Sequence, residues 1–535
     1  MPFAFCLLNL FDKSYLKIGN ANDLEGKDRI IFRALEILPG FLAWLTLLGV
    51  VLLSWLAPVG IAFFIIAFDL YWFLKTVYLS LHLRASFKVM REHLKINWLE
   101  KVQRINPTPT LPLARGGRGG GWQDIYHLII LPFYKEPLEV IDETLKSLLA
   151  ANYPNDKFIV VLTAEERAGE EARETGQRIK EKYKDKFFSF LLTAHPQDIL
   201  GELAGKGSNE TWAGRKAKEL IDSLKIPYEN IIVSVFDVDA RVYPDYFGCL
   251  TYYFLASEKP HQSSFQPIPV FNNNIWEAPA LSRVVASSCT FWQMMQQVRP
   301  ERLATFSSHA MSFKALVEMD FWNVKNVSED SRIFWKSLMF YDGDYQVIPL
   351  YYPVSMDANL AETFWQTTKN VYKQQRRWGW GAENIPYFLF GCLKNKKMPL
   401  GKKLRFTFNQ LEGFWSWATN ALLIFLLGWL PLFLGGEKFN LTVLSYNLPR
   451  LTRWIMTFAM VGLVSSAIYS MVLLPPRPAG HPWRKYFYMV FQWILMPLTI
   501  ILFGSIPGLE AQTRLMLGKY MGFWVTPKVR AANSK

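Results

Sequence analysis

Between about residues 37 and 81 the chain carries almost no charge, and the apolar run is interrupted midway by Pro58 and Gly60. This pattern predicts two membrane spans of roughly 20 residues joined by a tight turn. Lys27, Arg29 and Arg33 precede the run and Arg84, Lys88 and Arg91 follow it, so both flanks are expected on the cytoplasmic side. From Arg84 to Phe414 polar and apolar positions mix and no spanning run occurs. Within that segment "LIILPFY" (128–134), "FIVVLTA" (158–164) and "IIVSVFDVD" (231–239) are short apolar, β-branched runs. Helix-type segments separate them, one of them opened by Pro137 at a first-turn position. Strands alternating with helices predict an α/β unit on a mainly parallel sheet. After Lys402, Lys403 and Arg405 the apolar runs return, and spans are expected at 415–434, 454–474 and 486–506.

The fold expected is therefore an α/β cytoplasmic domain inserted between transmembrane helices. Its parts are an anchor at 1–84, the domain at 85–414, further spans at 415–506 and a cytoplasmic tail at 507–535. "NPTPTLPLARGGRGGG" (106–121) is Pro-rich and then Gly/Arg-rich, a composition that builds no core, and reads as a flexible insertion. One conflict stands in this topology. Three C-terminal spans would leave the C-terminus outside, yet Arg514, Lys519, Lys528 and Arg530 place it inside. Pro497 marks the last run as a candidate re-entrant or interfacial segment.

Composition narrows the class. Hydrophobic residues make up 51% of the 535, yet mean hydropathy is only +0.08, which suits a chain part membrane and part water-soluble. The net charge of +14 is accounted for largely by basic residues beside the spans, which argues against nucleic acid as a partner. Cys6, Cys249, Cys289 and Cys392 form no CxxC pair, so reduced thiols fit better than a zinc site or disulfide framework. Asp12, Lys13 and Lys17 precede any long apolar run, so no secretory leader is expected.

Four short stretches carry chemistry. In "FDVDARVYPDYF", Asp237 and Asp239 follow a buried strand and share a side if the backbone stays extended. Ligands of open α/β sheets bind beyond the carboxyl ends of strands, and two carboxylates there suit a hard divalent cation with phosphate oxygens. Lys206 in "GKGSNETW" sits between two glycines ahead of a helix, an arrangement suited to a diphosphate. "VSEDSRIFWKSL" places Ser328, Glu329 and Asp330 at a helix start, where acidic residues serve capping or, at a pocket edge, general base catalysis. In "KQQRRWGWG", Gln374, Arg377 and Trp378 share a helix face: an indole for the apolar side of a sugar ring and polar groups for hydroxyls or phosphate. An interfacial membrane anchor uses the same residue types.

In this order the motifs resemble those of the membrane-embedded family 2 glycosyltransferases, which include cellulose and hyaluronan synthases. The markers are D-x-D at Asp237/Asp239, S-E-D at Ser328–Asp330 where the family usually has T-E-D, Q-x-x-R-W at Gln374–Trp378, and F-x-V-T-x-K from Phe523 to Lys528. The resemblance implies a GT-A-type domain in which Asp237 and Asp239 bind Mg²⁺ or Mn²⁺ and the donor diphosphate. Asp330, with Glu329 beside it, would be the general base. Pro132, Tyr134, Glu136, Glu165, Lys206, Asp237, Thr526 and Lys528 would contact the nucleotide. Phe306, Ser307, Ser308, Gln374, Arg377 and Trp378 would bind acceptor and sugar. Phe523, Val525, Thr526 and Lys528 would form a gating loop. "LTAEERAG" departs from the paired aspartates that many members carry after the second strand, so Glu165 or Glu166 substitutes for them only loosely.

The activity implied is inverting transfer from a nucleotide sugar, expected to be UDP-linked, onto a growing β-linked polysaccharide at the inner or plasma membrane, coupled to export. Transfer of one sugar to a lipid or lipid-phosphate is the first alternative. A non-enzymatic transporter or channel is the second; it predicts polar residues within the spans, which here are mostly apolar. Sugar identity, linkage and oligomeric state have no motif to report them.

Overall fold

The computed structural model describes residues 13–105 and 121–527. The predicted insertion, apart from Gly121, and Lys528 lie outside the described residues.

Helix α1 (Gly26–Leu56) and helix α2 (Pro58–His93) form the first apolar pair, with Pro58 at the first turn of α2, where its missing N–H costs nothing. Leu45, Leu48, Trp55, Phe63 and Leu74 stay exposed along them, as lipid-facing side chains would.

Eight strands then build one mixed sheet in the order β3-β2-β1-β4-β7-β6-β8-β5. Strands β1 (Tyr126–Phe133), β2 (Phe158–Glu165), β3 (Ser189–His195) and β4 (Ile231–Val235) are parallel. The parallel run ends at β7 (Ala310–Ser312), which is antiparallel to both β4 and β6 (Ser263–Phe271). Strand β8 (Gln346–Met356) is parallel to β6, and the two-residue β5 (Arg241–Val242) closes the far edge.

The reason β1 and β2 read as unbroken apolar runs is that both faces are covered. Ile129 and Leu131 join one core with Leu145, Phe158, Ile179 and Phe247. Leu128 and Ile130 join the other with Ala213, Ala217, Val233 and Ile333. Helices α3 (Leu138–Leu149), α4 (Glu170–Tyr183) and α6 (Tyr246–Ala256) supply the first layer, α5 (Lys206–Leu224) the second.

Beyond the sheet come α7 (Ala280–Gln297), α8 (Glu329–Phe340), α9 (Phe364–Gly379) and α10 (Asn384–Lys394). Three apolar helical stretches follow: α11 (Leu400–Phe425) with its bent continuation, α12 (Val443–Val472), and α13 (Arg484–Met516), which is interrupted by a 3₁₀ turn and a π turn. Among the described residues four helices, α1, α2, α12 and α13, are long and apolar enough to cross a membrane. A fifth is added if α11 and Leu427–Leu434, which meet at a 50° bend, count as one span.

Contacts orient these helices. A Cβ on Gly435, past the end of the bent pair, would lie 2.9 Å from Pro58 at the α1–α2 turn, so this pair runs from the domain to the far end of the bundle. At the other end of α12, Tyr469 packs on Phe87 of α2 and Ser470 Oγ accepts from Trp493 Nε1 at 2.9 Å. Helix α13 touches the domain side at both ends. Lys485 donates to the Trp276 carbonyl and Gln492 accepts from Arg283 of α7 at 2.6 Å, while Glu510 pairs with Arg376 of α9 at 2.7 Å. Arg33 of α1 donates to the carbonyls of Leu515 (2.8 Å) and Met516, and Tyr520 donates to Glu36 at 2.8 Å.

Candidate active site

The parallel strands deliver their carboxyl ends to one edge, and a cavity of about 380 Å³ opens there. Its wall takes Pro132, Tyr134 and Glu136 from the end of β1, Glu165 from β2, Asp237 from β4 and Lys206 from the first position of α5. Phe306 and Ser307 come from the loop before β7, Glu329 and Asp330 from the first turn of α8, and Gln374, Arg377 and Trp378 from α9. The tail returns over α5 to add Phe523, Val525 and Thr526. Phe414 and Trp417 of α11, stacked at 6.1 Å, carry the wall onward into the helical bundle.

At the centre lies the Lys206 ammonium, nearly sealed from solvent. Its Nζ is 3.0 Å from Asp237 Oδ1, 3.0 Å from each oxygen of Asp330, 3.4 Å from Glu210 Oε1 and 3.5 Å from Glu329 Oε1. Burial opposes its charge, but these four carboxylates outweigh burial and hold it well above the usual lysine range. Glu210 lies one helical turn beyond Lys206, fully buried, with no hydrogen-bond partner for either oxygen. Burial first, and then its acidic neighbours, keep its carboxyl well above the carboxylate range against the pull of Lys206. Burial, joined by the charge of Asp330, pushes Glu329 up to about 7; Lys206 and Arg377 act in the opposite direction.

The aspartate pair departs from the extended geometry expected of it. The backbone turns after β4, with Ala240 N donating to Asp237 O at 2.8 Å. Asp237 faces the cavity, accepting from Ser307 Oγ at 2.8 Å beside Lys206. Asp239 also borders the cavity but is almost wholly buried, and its Oδ2 accepts from Asp357 N at 2.9 Å. Among the described residues the acidic oxygens that converge within 4.8 Å are those of Glu210, Glu329 and Asp330. These hard oxygen donors fit Mg²⁺ or Mn²⁺ in kind, and the Glu210 oxygens, which accept no hydrogen bond, leave capacity for a cation beside Lys206.

One wall of the cavity is aromatic. Trp378 meets Phe306 edge-on at 5.9 Å and Phe271 at 6.2 Å. Buried Gln266 fixes the loop behind it, accepting from Phe306 N at 2.8 Å and donating to Ser307 O at 3.1 Å. Ser308, expected at this wall, is off it: its backbone is left-handed (φ 68°) and its side chain fully buried. Arg377 lies over the Phe523 ring at 4.8 Å and Lys373 over Trp524 at 5.4 Å, which docks the tail on α9. A Cβ on Gly205 would come within 2.7 Å of Phe523 Cβ, so that glycine admits the tail. Glu165 pairs with Arg167, whose guanidinium covers Tyr134 at 5.0 Å.

Three side chains had no sequence signal beyond residue type. Glu210 is the i+4 neighbour of Lys206, and its membership of the cluster appears only in the fold. His309, fully buried, places Nδ1 3.1 Å from Phe306 O and 3.7 Å from Asp330 Oδ1; burial lowers its pKa. Glu383 of the α9–α10 turn binds the backbone just ahead of Glu329.

No family model and no curated protein matches the chain. Among solved structures it is similar to the mannosyltransferase PcManGT from Pyrobaculum calidifontis in complex with GDP-Man and Mn²⁺, at 15% identity over 85% of this chain and 100% of that one, with a TM-score of 0.40. It is also similar to S. aureus TarS 1–349 in complex with UDP-GlcNAc, at 11% identity over 74% and 93%, with a TM-score of 0.36. Likenesses at this level carry no weight for substrate or mechanism, and the chemistry rests on the cavity itself.

Proposed function

We propose that the chain is a membrane-bound, inverting, family 2-type glycosyltransferase with a GT-A-type domain. It transfers a sugar from a nucleotide-sugar donor, in our reading UDP-linked, to a hydroxyl of a growing β-linked polysaccharide. The observation that carries this is the gathering, in one cavity at the carboxyl edge of the sheet, of a carboxylate (Asp330), a buried cation (Lys206) with Arg377, and an aromatic wall, drawn from segments almost 400 residues apart in sequence.

Asp330 accepts the proton of the acceptor hydroxyl as the oxygen attacks the anomeric carbon, worth roughly 10²–10⁴-fold. The bond to the donor diphosphate breaks on the opposite face. Lys206 and Arg377 favour the charge that develops on the departing diphosphate. Trp378 and Phe306 hold the sugar, and the Phe523–Thr526 segment covers the nucleotide and excludes water. Asp237, with Glu210 and Glu329 close by, would hold Mg²⁺ or Mn²⁺, which supplies further neutralisation of the diphosphate when bound.

The helix contacts support a matching topology. In this reading α1, α2, the bent pair beginning with α11, and α12 cross the membrane, and α13 lies along the cytoplasmic interface. Four crossings bring the tail back to the side of the basic loops, which removes the conflict between span count and charge. Exposed Trp483, Phe487, Phe491 and Ile494 suit the lipid-facing side of such an interfacial helix.

A panel of UDP- and GDP-sugars incubated with purified membranes, read as nucleotide release, tests the activity; silence across the panel rejects it. Sizing the labelled product separates polymer synthesis from single transfer to a lipid, since the continuation of the cavity along Phe414 and Trp417 into the bundle suits either acceptor.

A further inference from the structure

The first turn of α8 holds both Glu329 and Asp330, yet it lacks the usual helix cap: the Ser328 hydroxyl makes no bond back to the helix. That hydroxyl turns outward and donates to Glu383 Oε1 at 2.6 Å. The same oxygen accepts from Ser328 N at 2.9 Å and from Val327 N at 3.0 Å. The other oxygen, Oε2, accepts from Trp380 Nε1 at 2.8 Å. One buried carboxylate therefore takes four donors, three of them from the two residues directly preceding Glu329. The adjacent Asn384 extends the grip: its Nδ2 donates to Ser331 Oγ at 2.9 Å, so Glu329 and Asp330 are flanked on both sides by residues that Glu383 and Asn384 hold. Arg332, fully buried over the Tyr387 ring at 3.9 Å, donates to the Glu383 carbonyl at 3.2 Å and fixes the backbone that carries the carboxylate.

Glu383 stands just past the end of α9, six residues after Arg377 and five after Trp378. Trp380 belongs to the apolar cluster that holds Val327, Ala511 and Leu515, with Phe523 of the tail packed against it. We propose that Glu383 is a positioning residue for Asp330: it locks the base-bearing turn of α8 to the sugar-facing helix α9, and through Trp380 to the tail. Trp380, the second tryptophan of "RRWGWG", supplies the fourth donor that fixes the carboxylate's orientation. The proposal rests on the reading of Asp330 as the base.

The chemistry dictates the test. In Glu383→Gln the amide keeps one acceptor for three donors and presents an N–H₂ to a fourth. If the amide oxygen serves Val327 and Ser328, its nitrogen faces the Trp380 N–H, and two donors oppose each other. Removing that donor in the double variant Glu383→Gln/Trp380→Phe relieves the conflict. Nucleotide release at saturating donor is expected to fall about 10- to 100-fold in Glu383→Gln, with donor KM within about threefold and apparent Tm within a few degrees of wild type; the double variant recovers at least fivefold. Unchanged kcat in Glu383→Gln, or a double variant no faster than the single, overturns the proposal. Ser328→Ala, which removes the 2.6 Å bond and leaves Glu383 intact, is expected to lower kcat by a smaller factor of the same kind, and serves if Glu383→Gln fails to accumulate; wild-type kcat in Ser328→Ala then overturns the proposal. Hydrogen exchange over the Val327–Ser328 amides needs no substrate: at least tenfold faster exchange is expected in Glu383→Gln, and unchanged protection refutes the clamp. If wild type releases no nucleotide from any donor, the assignment of function fails while the exchange result still decides the clamp.

Discussion

Replacing Lys206 by Met tests the electrostatic centre of the site. The substitution keeps the length of the stem and removes one charge. The ammonium sits 3.0–3.5 Å from four carboxylates. At an effective dielectric constant near 20 each contact is worth about 5 kcal/mol before desolvation and before the mutual repulsion of the acids. The net loss is far smaller; removing one partner of a buried ion pair costs roughly 3–5 kcal/mol. Its dependence on pH is the sharper signature. Lys206 has a raised pKa, so its own stabilisation is complete below the ordinary lysine value and constant between pH 5 and 8. Glu329 and Glu210 also have raised values, but as acids: the folded state binds more protons than the unfolded, so stability falls as pH rises through that window. In wild type Glu329 confines its part of this fall to the range from about 4.5 to about 7. Without Lys206 both acids rise further and the fall continues above pH 7. Tryptophan-fluorescence melts of detergent-purified protein should put Lys206→Met roughly 10 °C below wild type at pH 8, taking about 2–4 °C per kcal/mol, with the gap reduced by half or more at pH 5.5. A gap that is absent at both pH values, or that widens toward acid, refutes the four-carboxylate account.

Other expectations follow from the same geometry. Asp330→Asn should lower transfer by about 10²–10⁴-fold while nucleotide binding by calorimetry persists; undiminished transfer removes Asp330 from the base role. Asp237→Ala should lose the part of nucleotide affinity that depends on added Mg²⁺ or Mn²⁺, whereas Asp239→Ala should register chiefly as instability, because its Oδ2 serves the Asp357 N–H inside the fold. Gly205→Ala should raise donor KM several-fold by pushing Phe523 aside, and Phe523→Ala should do the same by removing the ring beneath Arg377; a KM that moves in neither variant detaches the tail from donor binding.

How much of this the sequence discloses depends on the range of the interaction. The apolar runs of β1, β2 and β4 were legible because both of their faces are buried, and Asp237 because it follows such a run. Strands β6 and β8 were not. Pro267, Pro269, Pro349 and Pro353 argue against strand within them, yet the two pair with each other and place a register irregularity between Gln266 and Ile268. Three residues of β7 are too few for any pattern, though that strand turns the parallel sheet into a mixed one. For α13, hydropathy reports an apolar helix but not its direction, which is set by contacts with Arg283, Arg376 and Arg33 from three other helices. Residues of the short motifs line one cavity; Glu383 carried no such signal, since Val327 and Ser328, the backbone it holds, lie 56 and 55 positions away and its meaning exists only in the fold.

The junction of Arg33 and Glu36 with the end of α13 and Tyr520 has a consequence for the bilayer. Glu36, buried near the start of α1, accepts from Ala21 N and from Tyr520, while Arg33 binds the last carbonyls of α13. The tail that closes the cavity is thus fastened to the start of a 31-residue apolar helix rather than hanging from the domain. A helix of that length answers a change in hydrocarbon thickness by tilting. If α1 crosses the membrane as proposed, its tilt moves Glu36 and with it Tyr520, three residues ahead of Phe523, so that a change in bilayer thickness is expected to alter the cavity the tail covers.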